Sequence, residues 1–371
     1  MKPWLSLCSG VAIALSLHLP AHAQLLIGQT AGFSGQVAAG VQETTNGALL
    51  YIDAINAAGG VHGQKIELKS LDDQFDPKLA AQNGRKLIEE MNVLAMFLTR
   101  GTPHTQSIVP LLDKHGVALV GPSTGAMALH KPVLKQVFNV RATYQREAEK
   151  AISHLASMGI TRIALIYVDD SFGTDGAAGA QRGLAASKLE PVVLEKIDRS
   201  KPDLGPIAAK VAQANAQATL VIASGTPVVE ASNAIRAAGS ASQIVTLSNN
   251  ASSGFIKSLG ANGRGVIVTQ VFPNERAITY PLVKEAQSLL KAKGGNEISP
   301  AMLEGFAAAK VLVEGLRRAG PKPSRERVQA ALEGIQKFDL GGLEVNYSAD
   351  DHTGLDFADL SIIGTDGKFR R

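Results

Sequence analysis

Two identical triplets, Gly101-Thr102-Pro103 and Gly225-Thr226-Pro227, each follow a short apolar run, and each has the residue types that receive an anion without a metal. Thr102 stands at the N-cap position of an expected helix and Pro103 in its first turn, where a fixed φ fits and a missing N–H costs nothing. The free N–H groups and positive dipole end of a helix start suit an oxygen-bearing ligand. A lone triplet is equally an ordinary cap; its duplication, one copy in each half of the chain, favours two facing helix starts across a cleft. Arg100, just before the first triplet, can hold a carboxylate bidentately, or be solvated or salt-bridged. Asp72, Asp73 and Asp76 invite a cation site, but Asp76-Pro77 reads as a helix cap, and no glycine or distal glutamate completes a calcium loop. Gly32-Phe33-Ser34-Gly35-Gln36 lacks the last glycine of a nucleophile elbow, no H-E-x-x-H or phosphate loop is present, and His62, His104, His115, His130, His154 and His352 are scattered without ligand spacing. The expectation is a binding site with no catalytic residue, no metal and no cofactor.

The elements that would carry these residues alternate. Val93 to Leu98 reads as a strand buried on both faces, Gly116 ends the following helix, and Val117 to Val120 returns as the next strand before the turn Gly121-Pro122-Ser123-Thr124. Thr219 to Ala223 repeats this plan ahead of Gly225, and Ile244 to Leu247 runs into Ser248-Asn249-Asn250, which matches Gly121 to Thr124 in position. Further βα units are read at Leu25 to Ala58 and Arg162 to Gly176, and late helices at 280–293, 300–319 and 324–333. Such alternation predicts an α/β fold of two Rossmann-like lobes with parallel sheets and right-handed crossovers. The chain would cross between lobes three times, as a hinge, giving lobe one as residues 24–143 and 272–346 and lobe two as 144–271 and 347–371.

Lys2, the apolar run Leu5 to Leu19 and Ala21-His22-Ala23 form a cleavable signal with cleavage after Ala23, which implies export to the periplasm. Cys8 is the single cysteine, so a mature chain has no thiol for disulfides, zinc or nucleophilic catalysis. Without Lys2, 36 basic residues face 33 acidic ones, scattered rather than clustered, so nucleic-acid binding has no support. No later apolar run reaches the roughly 18 residues that span a bilayer.

In this order the motifs YIDAINAAGGVHGQKIEL (Tyr51 to Leu68), LDDQFDP (Leu71 to Pro77), TRGTPHTQSIVPLLDKHGVALVGPST (Thr99 to Thr124), IALIYVDDSFGTDG (Ile163 to Gly176) and LDFADLSIIGTDGKF (Leu355 to Phe369) resemble one family: the periplasmic amino-acid-binding components of ABC importers, leucine/isoleucine/valine type, with the type I periplasmic binding protein architecture. The resemblance spans essentially the whole mature chain. It implies a carboxylate site at Thr102 and the Pro122-Ser123-Thr124 turn, and an aromatic contact at Phe172, which stands in place of a family tyrosine and is equally readable as a core residue. The family glutamate that neutralises an α-ammonium falls on Ser248, or on Asn249 if the loop shifts by one, and a second aromatic falls near Gly225-Thr226. Asp169 or Asp170 could turn inward to replace the lost carboxylate, although both positions suit loop caps.

The resemblance implies a monomeric solute receptor that closes on a small amino acid, organic acid or amide and delivers it to an inner-membrane ABC permease. A sensory receptor subunit shares the fold but not the partner, and an exported enzyme is the third class weighed. Because Ser248 and Asn249 carry no charge, a non-zwitterionic acid or amide is expected to bind better than a branched-chain amino acid.

Overall fold

The computed structural model describes residues 24–370, so the signal segment and Cys8 lie outside the described residues. Five strands, β1 (Leu25–Ala31), β2 (Ile66–Asp72), β3 (Ala95–Phe97), β4 (Leu119–Val120) and β5 (Val137–Phe138), form one sheet in the order β2-β1-β3-β4-β5, with every pairing parallel. Helices α1 (Ala38–Ala57), α2 (Pro77–Arg85) and α3 (Thr102–His115) connect the first four of these strands. After α4 (Tyr144–Ser157) comes a second run: β6 (Ile163–Val168), α5 (Ser171–Ala186), β7 (Val193–Ile197), α6 (Gly205–Gln213), β8 (Ala218–Ile222), α7 (Thr226–Ala237), β9 (Gln243–Thr246), α8 (Ser253–Leu259) and β10 (Ile267–Gln270). The chain then adds α9 (Pro281–Ala292), α10 (Pro300–Ala319), α11 (Arg325–Glu333), the small hairpin β11 (Phe338–Asp339) and β12 (Glu344–Val345), and finally β13 (Asp359–Ile363) and β14 (Phe369–Arg370).

The second sheet has the order β14-β13-β10-β9-β8-β6-β7. Strands β6 to β10 are parallel, and their order repeats that of the first sheet, so the expectation of two α/β lobes with parallel sheets holds. The sequence reading did not foresee the edge: β13 runs antiparallel to β10 and β14 antiparallel to β13, because the chain re-enters this lobe without a crossover helix. In each lobe the first strand lies between its second and third partners, and ligands of doubly wound sheets bind outside the strand carboxyl ends at such a switch point. Both Gly-Thr-Pro triplets stand there, one after β3 and one after β8.

Several start and stop signals act locally as read. Asp76 caps α2, its carboxylate accepting from the Lys78 N–H at 2.8 Å with Pro77 first in the helix, and Ser299 and Ser324 cap α10 and α11 in the same way. Gly116, at φ 60°, ends α3. Two strands of the first sheet are shorter than their apolar runs: β4 covers only Leu119–Val120 of Val117 to Val120, and β3 only Ala95–Phe97 of Val93 to Leu98, since Leu98 itself turns to φ 53°.

Each sheet has its own apolar core, and α10, which packs along α1, belongs to the first. The chain passes from the first core to the second between Ala142 and Tyr144, and returns between Val268 and Val271. The third passage lies between Leu355 and Leu360, later than the expected 346/347 boundary. The Tyr347 hydroxyl donates to the Asn139 carbonyl at 2.6 Å and the Leu355 N–H to the Val140 carbonyl at 3.1 Å, and these bonds hold 347–355 on the first sheet beside the end of β5.

Candidate functional site

Arg100 is positioned by the end of β3. The Ser123 N–H donates to the Thr99 carbonyl at 2.7 Å, extending the β3–β4 pairing past the sheet, and the Thr99 and Thr105 hydroxyls meet at 2.9 Å across the turn. Gly101 then takes φ 91°, and a Cβ there would press on the His104 ring and on Phe75. This makes Gly101, not Thr102, the N-cap of α3, because the left-handed turn falls one residue earlier than expected. The Thr102 hydroxyl is thereby freed from capping and pairs with the Thr124 hydroxyl at 2.7 Å, both residues being buried. The second triplet repeats the geometry: Gly225 is the N-cap of α7 at φ 64°, and Thr226 opens the helix.

The two lobes meet over these turns. Arg100 donates from Nη1 to the Ser123 hydroxyl at 2.9 Å and from Nη2 to the Asn249 carbonyl of the opposite lobe at 2.6 Å. The Glu43 carboxylate on α1 accepts the Ser253 and Gly254 N–H groups at the start of α8, at 3.0 and 2.9 Å. Ser171 donates to Gln106 at 2.7 Å, and the Met127 N–H to Asp175 at 3.0 Å. A Cβ at Gly225 would overlap the Gln36 carbonyl, so backbone touches backbone across the cleft.

Between these contacts lies a cavity of about 100 Å³, lined from one side by residues such as Gln36, Gly40 and Arg100 and from the other by Thr226, Asn249 and Phe255. A second space of about 10 Å³ continues behind Arg100, against Gln29, Thr45 and Ser123. Arg100, 5 % exposed, is the only charged residue lining either space, and no carboxylate among the described residues pairs with it.

Asn249 and Asn250 close the floor. Asn250 is fully paired, giving Nδ2 to the Ala223 carbonyl and the Thr246 hydroxyl, each at 2.9 Å, and accepting the Gly225 N–H on Oδ1 at 2.8 Å. Asn249 gives Nδ2 to the Ala223 carbonyl at 3.1 Å and the Ser224 hydroxyl at 2.9 Å, while its Oδ1 is buried without a partner.

The expected residues therefore separate. Arg100, Ser123, Thr226 and Asn249 line the two spaces; Thr102, Pro122 and Thr124 are buried and line neither. Phe172 takes its core alternative, packed edge-on against Tyr144 with ring centroids 4.7 Å apart. Ser248 does not line either space: its hydroxyl accepts from Arg141 Nη2 at 2.8 Å and its N–H donates to Glu147 at 2.9 Å. Neither aspartate turns inward. Asp170 caps α5 through the Phe172 and Gly173 N–H groups and pairs with Arg199, and the exposed Asp169 pairs with Lys196 at 2.9 Å.

Sequence reading missed the buried group behind Ser248. Arg141 pairs with Glu147, whose carboxylate also accepts from the Thr269 hydroxyl, and Glu304 of α10 approaches Arg141 Nη1 to 3.8 Å. Burial would depress the Arg141 pKa, but the Glu147 and Glu304 carboxylates reverse the sign and hold it above its ordinary value. An arginine inside the apolar stretch VFNVRA was the available signal, since such a cation must find a partner.

The periplasmic binding protein family model matches residues 24–358. A Leu/Ile/Val-binding protein homolog 3 from Brucella melitensis is 26% identical over 336 residues, covering 88% of this chain and 89% of the relative. Among solved structures, a substrate-binding periplasmic protein from Ralstonia solanacearum is 31% identical with a TM-score of 0.85, over 93% of this chain and 99% of that one. A possible leucine/isoleucine/valine-binding protein from Rhodopirellula baltica is 26% identical with a TM-score of 0.88, over 95% and 98%.

Proposed function

Because the chain belongs to the periplasmic binding protein family, we propose that it is the periplasmic solute receptor of an ABC importer and that its ligand is a small organic acid held by Arg100. Closure needs no chemistry, only contacts that both lobes make with the ligand, which shifts the equilibrium toward the closed form. The names of the relatives support amino-acid-like ligands at the family level. The lining argues for a narrower class: Arg100 is its one charge, and no aspartate or glutamate faces the space. A carboxylate there gains a charge-assisted, bidentate partner, whereas an α-ammonium would be desolvated without one, at a cost of several kcal/mol. Thr102, Ser123 and Thr124 support the first-lobe side of this site and Thr226 the second.

Titration calorimetry on the mature chain with leucine and with 4-methylpentanoate, the same skeleton without its ammonium, tests the reading. The acid should bind more tightly than leucine, and Arg100→Gln should abolish its binding. Tight leucine binding that survives Arg100→Gln would overturn it.

A further inference from the structure

Phe75, in the turn between β2 and α2, meets two planar groups at once, one from each lobe. Its ring stacks on His104 of α3 with centroids 4.3 Å apart. The Arg199 guanidinium, from the loop after β7 in the second lobe, lies over the same ring, 4.9 Å from its centroid. Asp170 of that lobe accepts from Arg199 Nε and Nη2 on one oxygen while its other oxygen caps α5, so the guanidinium is aimed by its edge from within its own lobe. The ring is held at a conformational cost. Gln74 and Phe75 take φ 52° and 59°, two left-handed residues in succession, neither of them glycine. Asp72 accepts the Gln74 N–H and Asp73 the Phe75 N–H, each at 2.9 Å, and these bonds fix the turn. Strain of this kind persists only where its surroundings impose it, and it concentrates at clamps and switches. The position is also a boundary. Inward, Phe75 packs in one apolar cluster with Val37, which lines the interlobe cavity. Outward, Arg199 lines an open groove of about 440 Å³ that Pro77 and Pro103 of the first lobe share with Asp169 and Lys196 of the second.

We propose that Phe75 and Arg199 are positioning residues that latch the cleft: the guanidinium of the second lobe settles on the ring of the first when the lobes close, and stands between the ligand cavity and the outer groove. When the lobes part, Asp170 stays with Arg199 and His104 with Phe75, and only the contact between ring and guanidinium is lost. The ring then turns an apolar face to water that the arginine had covered. The latch therefore favours the closed form whatever the cavity holds, and supplies affinity that no ligand contact provides. It rests on the lobe closure proposed above and not on the carboxylate role of Arg100.

The test is a pair of spin labels on the mature chain, at Gln82→Cys and Ala185→Cys, exposed positions on α2 of one lobe and α5 of the other. Their distance distribution gives the closed-to-open ratio in the free protein and with an excess of 4-methylpentanoate or of leucine. Phe75→Leu and Arg199→Gln should each lower that ratio about 2- to 5-fold wherever the wild type shows both forms, and the double variant should lower it no further than either alone. This lack of additivity separates a latch from two unrelated losses. Single variants that close as the wild type does, or effects that add, would overturn the latch and leave closure standing. A single distance in all three conditions would overturn the closure and the latch together. If Phe75→Leu does not fold, Arg199→Gln decides alone, since Arg199 belongs to neither apolar core and its loss leaves both whole.

Discussion

Arg100 sits in an unusual balance: a residue 5 % exposed whose guanidinium has a hydroxyl and a carbonyl as partners and no carboxylate among the described residues. Burying a charge without a counter-ion costs stability, so the unliganded protein gains little from this side chain. Arg100→Met should leave the melting temperature of the free protein unchanged or raise it, while the affinity for a carboxylate ligand falls by about 100-fold or more. Calorimetry and thermal denaturation on the same samples check both halves; a large loss of stability in the free variant would mean that Arg100 is a structural tie. Thr102→Val should behave differently. It removes one member of a buried hydroxyl pair and leaves the Thr124 hydroxyl unpaired, for a loss of about 1–2 kcal/mol in the free protein measured by urea denaturation. Arg100 and Thr226 were legible in the sequence because a cation and a helix start at a strand end are local features. Ser248 and Asn249 were not separable, since which of two neighbours faces the cleft depends on Arg141 and Glu147, one capturing the Ser248 hydroxyl and the other its N–H from elsewhere in the chain.

At the level of elements, helix starts and stops such as Asp76-Pro77, Ser299-Pro300 and Gly116 could be read because the signal and its effect lie within one turn. The antiparallel β13–β14 edge and the late third crossing could not, since both depend on the partners that the C-terminal chain finds on each lobe. The same holds for the contact between the turn before α7 and the loop before α1, where nothing in the triplet Gly225-Thr226-Pro227 announces Gln36. That contact makes a prediction about closure. Gly225 has φ 64° and ψ −124°, a conformation that strains any residue with a Cβ, so Gly225→Ala should cost about 1–3 kcal/mol within its own lobe. The added Cβ would also overlap the Gln36 carbonyl, and only this second cost can be relieved by parting the lobes. Ligand affinity should therefore fall by more than the loss in stability accounts for, and small-angle scattering of the ligand-saturated variant should show a larger radius of gyration than wild type. Equal radii with unchanged affinity would show that the lobes do not come this close when they bind.

On the scale of the whole molecule, four titratable groups, three buried and Asp175 half-buried, set opposing responses to acid. Burial pushes the Asp73 and Asp175 carboxyls up to about 6, and it pulls the His104 and His130 imidazoles down to about 4. Each aspartate binds its proton more readily folded than unfolded, so its destabilising effect is complete above pH 6 and is relieved as pH falls from about 6 toward the ordinary carboxylate range. Each histidine does the reverse: the unfolded chain takes up the proton from about pH 6.5 downward and the folded one resists until about 4, so stability is lost across that window. The two pairs oppose one another, and the wild-type protein should show little net change in stability between pH 6.5 and 4.5. Asp175→Asn is a clean probe of one side. Its Oδ1 accepts from Met127 and Gln145, bonds an amide oxygen can keep, while Oδ2 has no partner to lose. The variant should lose stability on acidification, by about 1–2 kcal/mol relative to wild type once the partial exposure of Asp175 is allowed for. His104→Phe, which keeps the stack on Phe75 seen at a centroid distance of 4.3 Å, should instead gain stability over the same interval. Urea midpoints at pH 6.5, 5.5 and 4.5 for the three proteins measure both slopes. Variants that tilt in the same direction, or a wild type that already tilts as steeply as either, would show that these four groups do not govern the acid response.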